Sequence, residues 1–236
     1  MTGPTGRAAQ IAHVLFLDIV GYSRASTSAQ GRLLEQLNAA VSASAAFTAA
    51  QAAGGVQPIP TGDGMVLLFA SDVIAPAQCA VEVCRALEGG RALKVRMGIH
   101  SGLVQRQIDI AGHENVVGEG INTAQRVMEF GDAGHILLSA QYAAWLRQFD
   151  DWTPSVYRLG VGTAKHGQEV ELCSLHGPDY GRSDPPARIE KGDAVPEAVG
   201  RRLSAIGAGT DGRRLTADGQ KKVALLYKPS LQPDED

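Results

Sequence analysis

Val14-Leu15-Phe16-Leu17-Asp18-Ile19-Val20-Gly21-Tyr22-Ser23 reads as a buried strand that ends on a single carboxylate and turns through glycine into a long helical pattern. An unbroken apolar run of this length suits a strand covered on both faces. Gly21 lets the backbone N–H groups of the turn approach an anion at the start of the next helix. Asp18 is thereby placed where a metal and a phosphate could be held, although a lone strand-end aspartate also serves as an ordinary cap.

Working outward, Ile11 to Leu17 forms the first expected strand, after a polar leader over residues 1–10. From Ser23 to about Ala53 the pattern is helical: Leu33, Leu34, Leu37, Ala40, Val41 and Ala45 recur at three- and four-residue spacings, and Gly54-Gly55 ends the helix. Val56 to Pro60 and Met65 to Phe69 read as two short strands around the turn Thr61-Gly62-Asp63-Gly64, which carries a second single carboxylate. Ser71 is expected to cap the next helix, which Gly89-Gly90 stops. Leu93 to Gly102 alternates as a strand, with Leu103 to Ile110 as its hairpin partner, and His100 within it reads as a packed side chain. Gly118-Glu119-Gly120 opens a helix on which Asn122 and Arg126, four residues apart, share one face near the end that favours anions. His135 to Ser139, Val156 to Leu159 and Glu169 to Leu175 are the remaining strands, with a short helix from Ala140 to Phe149. This order predicts an α+β fold, an α/β sandwich with a mostly antiparallel sheet.

Beyond His176 the character shifts. Residues 177–236 hold ten Lys and Arg against ten Asp and Glu, the pair Pro185-Pro186 and the acidic end Asp234-Glu235-Asp236, and are expected to form a loosely ordered extension. The net charge of −3 offers no basic surface, which argues against nucleic acid as a partner. Cys79, Cys84 and Cys173 are odd in number and lack metal-ligand spacing, so they are expected as buried thiols in a reducing compartment. No window approaches the roughly eighteen apolar residues of a membrane span, and the first residues have no apolar signal core. A cytoplasmic protein without a membrane anchor is expected.

Taken together, four separated stretches resemble the class III nucleotidyl cyclase family, the catalytic domain of adenylate and guanylate cyclases. Leu15 to Ser23 is similar to the family's first metal motif and Thr61-Gly62-Asp63-Gly64 to its second. Val95-Arg96-Met97-Gly98-Ile99-His100-Ser101-Gly102 is similar to its central strand, and Gly120-Ile121-Asn122-Thr123-Ala124-Gln125-Arg126 to its transition-state helix. The likeness spans residues 11–176 and implies a head-to-tail homodimer of ferredoxin-like domains with active sites at the interface. It further implies two Mg²⁺ or Mn²⁺ ions held by Asp18, Asp63 and the backbone carbonyl of Ile19, hard oxygen ligands suited to such ions. Gly21, Tyr22 and Ser23 would border the triphosphate. Asn122 would orient the ribose, and Arg126 from the partner subunit would neutralise charge on the α-phosphate while the 3′-oxygen attacks and pyrophosphate leaves. For the family's later phosphate-binding lysine, Arg158 and Lys165 are both candidates.

The departures concern the base. Where adenylate cyclases commonly carry a lysine, four residues before the second metal aspartate, this chain has Ile59, and where they often carry an aspartate it has Asn115. Ile59 makes no hydrogen bond to adenine and narrows the pocket, whereas Asn115 can donate and accept. The chain is in this respect similar to the bacterial Pycsar cyclases, which make cyclic UMP or cyclic CMP as an antiviral signal for a separate sensing effector. A pyrimidine nucleotide cyclase is therefore expected, UTP slightly ahead of CTP, with adenylate cyclase as the alternative and an inactive cyclase-like scaffold as the alternative of another class. A diguanylate cyclase is disfavoured because its Gly-Gly-Asp/Glu-Glu-Phe signature is absent from the sequence.

Overall fold

The computed structural model describes residues 9–88, 93–108, 114–164 and 167–189. Its chain order is β1 (Ala9–Ile19), α1 (Thr27–Ser42), α2 (Ala45–Ala52), β2 (Val56–Pro60), β3 (Gly64–Phe69), α3 (Ala75–Glu88), β4 (Val95–Ile108), β5 (Glu114–Val117), α4 (Glu119–Phe130), β6 (Ile136–Ser139), α5 (Ala140–Leu146), β7 (Val156–Thr163) and β8 (Glu169–Leu175). One open sheet runs β2-β3-β1-β4-β6-β8-β7, with β5 paired to the far end of β4. Among the described strands only β4 and β6 pair in parallel, so the expected α+β sandwich with a mostly antiparallel, ferredoxin-like sheet is the observed class.

The apolar run that opened the sequence is central because both its faces are covered. Leu15, Leu17 and Ile19 point into a large cluster filled by α1, α2, α3 and α5, with Leu37, Phe47, Val83 and Tyr142 among its members. Val14 and Phe16 point the other way, where α4 brings Ala124 and Met128 against Val66 and Leu68. Among the described residues the sandwich thus has a third, thinner layer, a single helix on the second face.

Glycine decides how close that helix sits. A Cβ on Gly98 of β4 would lie 2.5 Å from the Ala124 carbonyl oxygen, and one on Gly102 would lie 2.8 Å from the Gly120 Cα. Backbone meets backbone at both points, and no side chain fits between them.

Several local expectations are corrected. The chain does not turn at Gly102 as expected: β4 runs straight through it to Ile108 and pairs with β5, because Gly102 serves the approach of α4 and not a turn. The long first helix is two, since Ser44 accepts a bond from the Phe47 N–H at 3.1 Å and starts α2 anew. Asp72, not Ser71, caps α3, accepting from the N–H groups of Ile74 and Ala75. Cys79 and Cys173 are buried, and burial pushes the Cys79 thiol up to about 11. No helix among the described residues is long and apolar enough to cross a membrane. The expected helix stop at Gly89-Gly90 and the extension from residue 190 onward lie outside the described residues.

Candidate active site

Asp18 sits near the end of β1, opposite Gly64 on one side and Arg96 on the other. Gly64 is required there, because a Cβ would lie 3.0 Å from the Asp18 Cα. The turn that follows Pro60 folds Asp63 back, and the Asp63 carbonyl accepts from the Ile19 N–H at 2.9 Å. With the two segments joined by this backbone bond, the Asp18 and Asp63 carboxylates face one pocket. Its volume is about 540 Å³, and Asp18, Asp63, Arg96, Ile59, Gln125 and Glu129 are among its walls.

The electrostatics follow from that crowding. Burial lifts the Asp18 carboxyl above its ordinary value, the Arg96 guanidinium pulls it back, and the nearby Asp63 adds to the lift. Arg96 Nε donates to Asp18 Oδ2 at 2.7 Å, a charge-assisted bond. Two acidic side chains at one pocket wall, next to a backbone segment, make a hard oxygen donor set that fits a divalent cation. Ile19 can take part only through its backbone, since its side chain is buried in the main cluster.

The phosphate-side candidates divide. Gly21 has φ 81° and precedes a short 3₁₀ turn over Tyr22–Arg24, so it takes a conformation that favours glycine. Tyr22 packs partly against the main cluster, and Ser23 is exposed. Arg158 lies on β7, the outermost strand at the far end of the sheet from β2, and its guanidinium is paired with Glu171 at 2.7 Å. It does not reach this chain's pocket. Lys165 lies outside the described residues.

On the base side, Ile59 lines the pocket with Val116 and Ile121, as an apolar floor. Asn115 is exposed on β5 and its Oδ1 accepts from the Val116 N–H at 2.8 Å, so Val116, and not Asn115, faces the pocket. Strand alternation explains the exchange, because neighbours on β5 point to opposite faces.

Asn122 and Arg126 are on α4 as expected, one exposed and one half-buried. Neither lines the pocket. The helix turns Ile121, Gln125, Met128 and Glu129 toward it, and Asn122 and Arg126 lie about a quarter-turn away around the same helix. Within one chain the carboxylate pair and the Asn–Arg pair therefore do not meet.

Sequence reasoning missed Arg96, Gln125 and Glu129. The signal for Arg96 was its place two residues before Gly98 on a strand with Gly98 and His100 on the same face; for Gln125 and Glu129 it was their i,i+4 spacing, with Gln125 Nε2 donating to Glu129 Oε1 at 3.5 Å. His100, read as a packed side chain, is one: its Nδ1 bonds Ser139 Oγ at 2.8 Å, and burial lowers its pKa while Glu119 opposes the shift.

Comparison with known proteins agrees with this architecture. The guanylate cyclase domain of RhGC from Catenaria anguillulae, solved in complex with GTP, is 21% identical over 72% of this chain and 98% of its own, with a TM-score of 0.59. The adenylyl cyclase CyaB from P. aeruginosa is 19% identical over 74% and 98%, with a TM-score of 0.58. A non-canonical dimeric guanylyl cyclase domain of the RhoGC fusion protein from Blastocladiella emersonii is 23% identical over 72% and 98%, with a TM-score of 0.56. These likenesses show a shared fold. A sequence search of curated proteins finds no match. The model of the adenylate and guanylate cyclase catalytic domain matches residues 7–161, well over half of the chain, and the protein belongs to that family.

Proposed function

We propose that the protein cyclises a nucleoside triphosphate to its 3′,5′-cyclic monophosphate, releasing pyrophosphate, as a homodimer with active sites shared between subunits. The observation that carries this reading is that Asp18 and Asp63 line one pocket, while Asn122 and Arg126 of the same chain do not line it. A second copy, placed head to tail, would bring its Asn122 and Arg126 to the open side of the first copy's carboxylates. Leu103, Ile108 and Val117 on the β4–β5 arm are exposed apolar side chains that could supply contact area for it.

Asp18, Asp63 and the Ile19 carbonyl would hold the Mg²⁺ or Mn²⁺ ions, two to a site. Bound there, such ions would neutralise triphosphate charge and acidify the ribose 3′-hydroxyl. The chain's own groups do the rest. Asn122 orients the ribose, and Arg126 meets the charge that develops on the α-phosphate as the 3′-oxygen attacks in line. Arg96 keeps a guanidinium beside Asp18, near enough for its remaining N–H groups to serve a phosphate oxygen. Gly21, Tyr22 and Ser23 border the phosphates where the turn exposes backbone.

For the base we favour a pyrimidine, UTP or CTP. Ile59, Val116 and Ile121 line the pocket without a lysine to bond adenine, and Glu129 with Gln125 supplies acceptors that suit a ring N–H or an amino group. The cyclic UMP or cyclic CMP would act as an antiviral messenger on a separate effector. Adenylate cyclase is the second reading, favoured by the same apolar lining, which can also cover a purine face. Purified protein incubated with an equimolar mixture of four nucleoside triphosphates and Mn²⁺ is expected to yield mainly a pyrimidine product. Predominant cyclic AMP would replace the first reading by the second, and no product from any of the four would leave a scaffold.

A further inference from the structure

Residues 182–189 lie beyond the family-matched segment and beyond the final strand, yet they are tied repeatedly to one place, the seam between the end of α4 and the start of β6. The Arg182 N–H donates to the Gly134 carbonyl at 3.0 Å, and the Ala187 N–H donates to Asp132 Oδ2 at 3.0 Å. His135 Nδ1 accepts from the Asp132 N–H at 2.8 Å, so its proton belongs on Nε2, which donates to the Asp184 carbonyl at 2.7 Å. Ile189 is 7% exposed in a cluster with Val127, Phe130, Leu137, Val170 and Leu172.

Arg188 makes the contact with most consequence. The last turn of α4 contains no basic residue, and Arg188 Nη1 donates to the Glu129 carbonyl there at 3.0 Å. It thus supplies from another segment the cation that a helix C-terminus favours. Glu129 is engaged twice: its carbonyl is held by this strap, and its side chain lines the pocket with Asp18 and Asp63. Arg126 lies one turn upstream on the same rod.

We propose that residues 182–189 form a positioning strap that fixes α4 over the sheet, with Arg188 and Ile189 acting through Glu129 and Arg126. The activity consequence rests on the cyclase reading, whereas the clamp itself does not. A catalytic group displaced by about 1 Å can cost on the order of a hundredfold in rate, so a rod released at one end affects chemistry before it affects folding.

The test uses the full-length chain as wild type and as the variants Ile189→Asp, Arg188→Ala and Arg188→Lys. Amide hydrogen exchange at residues 127–131 is expected to accelerate at least about tenfold in Ile189→Asp, with residues 14–17 and 66–69 unchanged. Turnover is expected to fall at least about tenfold in Ile189→Asp and Arg188→Ala, while Mn²⁺-dependent binding of a 3′-deoxy nucleoside triphosphate changes less than about threefold. Arg188→Lys should recover most of the turnover. Unchanged exchange in Ile189→Asp overturns the clamp, as does equal acceleration across the whole sheet. Faster exchange with undiminished turnover overturns the positioning role. A wild-type enzyme that makes no cyclic nucleotide refutes the cyclase reading instead, and the exchange result still decides the clamp.

Discussion

The two faces of the sheet are built by opposite rules. On one, four helices bury Leu15, Leu17, Leu67, Ile99 and Leu138 completely in a continuous apolar layer, where stability scales with area removed from water. On the other, α4 rests on Gly98 and Gly102, leaving beside it a trough with three carboxylates, a guanidinium and an amide. The first face tolerates no polar group without a partner. The second keeps several in half-exposed or exposed positions, within reach of solvent. The fold therefore separates what keeps the chain folded from what would react, with β1 contributing to both from alternate residues.

The comparison is broken most severely at the trough. Asp63→Ala and Arg126→Ala should each reduce cyclic nucleotide formation at least about a thousandfold, with circular dichroism unchanged. Mixing the two inactive variants should restore roughly a quarter of wild-type activity, since half the dimers would carry one intact site. Failure of the mixture to recover would mean that the site is not shared between subunits.

Next come substitutions that load one face and spare the other. Leu67→Ala on the thick face should cost about 2–5 kcal/mol, read in a denaturant titration, with KM for the triphosphate unmoved. Gly98→Ala should cost about 1–3 kcal/mol yet lower turnover more than Leu67→Ala does, because the added methyl lifts α4. The reverse ranking in activity would erase the division of labour.

A smaller effect is expected from pH. His13 and His100 lie on opposite faces, bonded to Ser101 and Ser139, and burial lowers the pKa of each below the ordinary imidazole value. Protons then bind the unfolded chain more readily, so their contribution is present above about pH 6.5 and is lost as the pH falls below it. Asp72 faces His13 and Glu119 faces His100, each opposing the shift without cancelling it. Thermal midpoints should decline from pH 7.5 to 5.5, and flat midpoints would argue that neither ring is buried neutral.

The smallest effect sharpens the boundary of the trough. Arg158 and Glu171 are each about half exposed, at 48% and 45% of their side-chain surface, so Arg158→Ala should change stability by less than about 0.5 kcal/mol. Turnover should stay within about twofold. A large loss would assign Arg158 to the partner's trough.

How much of this was legible in the sequence depended on the range of the interaction. The buried strand ending at Asp18, the Gly-Asp-Gly turn and the helix carrying Asn122 and Arg126 are local patterns, and all three stand where the periodicity placed them. The break at Ser44 was hidden because Ala43 and Ser44 do not interrupt the apolar spacing; only the side-chain bond to Phe47 reveals it. Asn115 and Val116 were indistinguishable without the register of β5 on β4. Arg158 looked available because its partner, Glu171, lies on another strand. The strap was illegible for a related reason: Arg188 and Ile189 sit in a polar, proline-containing stretch whose partners are about sixty residues upstream, at Glu129 and Val127.

The contact of Gly98, Gly102 and Gly120 has a bearing on how such a chain can evolve. The height of α4 above the sheet is set by side chains that are missing, and a quantity fixed by absence cannot be adjusted by small steps. Ile59, Val116, Gln125 and Glu129 are under no such restriction, and each can be exchanged without moving a backbone. New ligand preferences at the trough would therefore arise by repainting the walls of a room whose ceiling is already fixed.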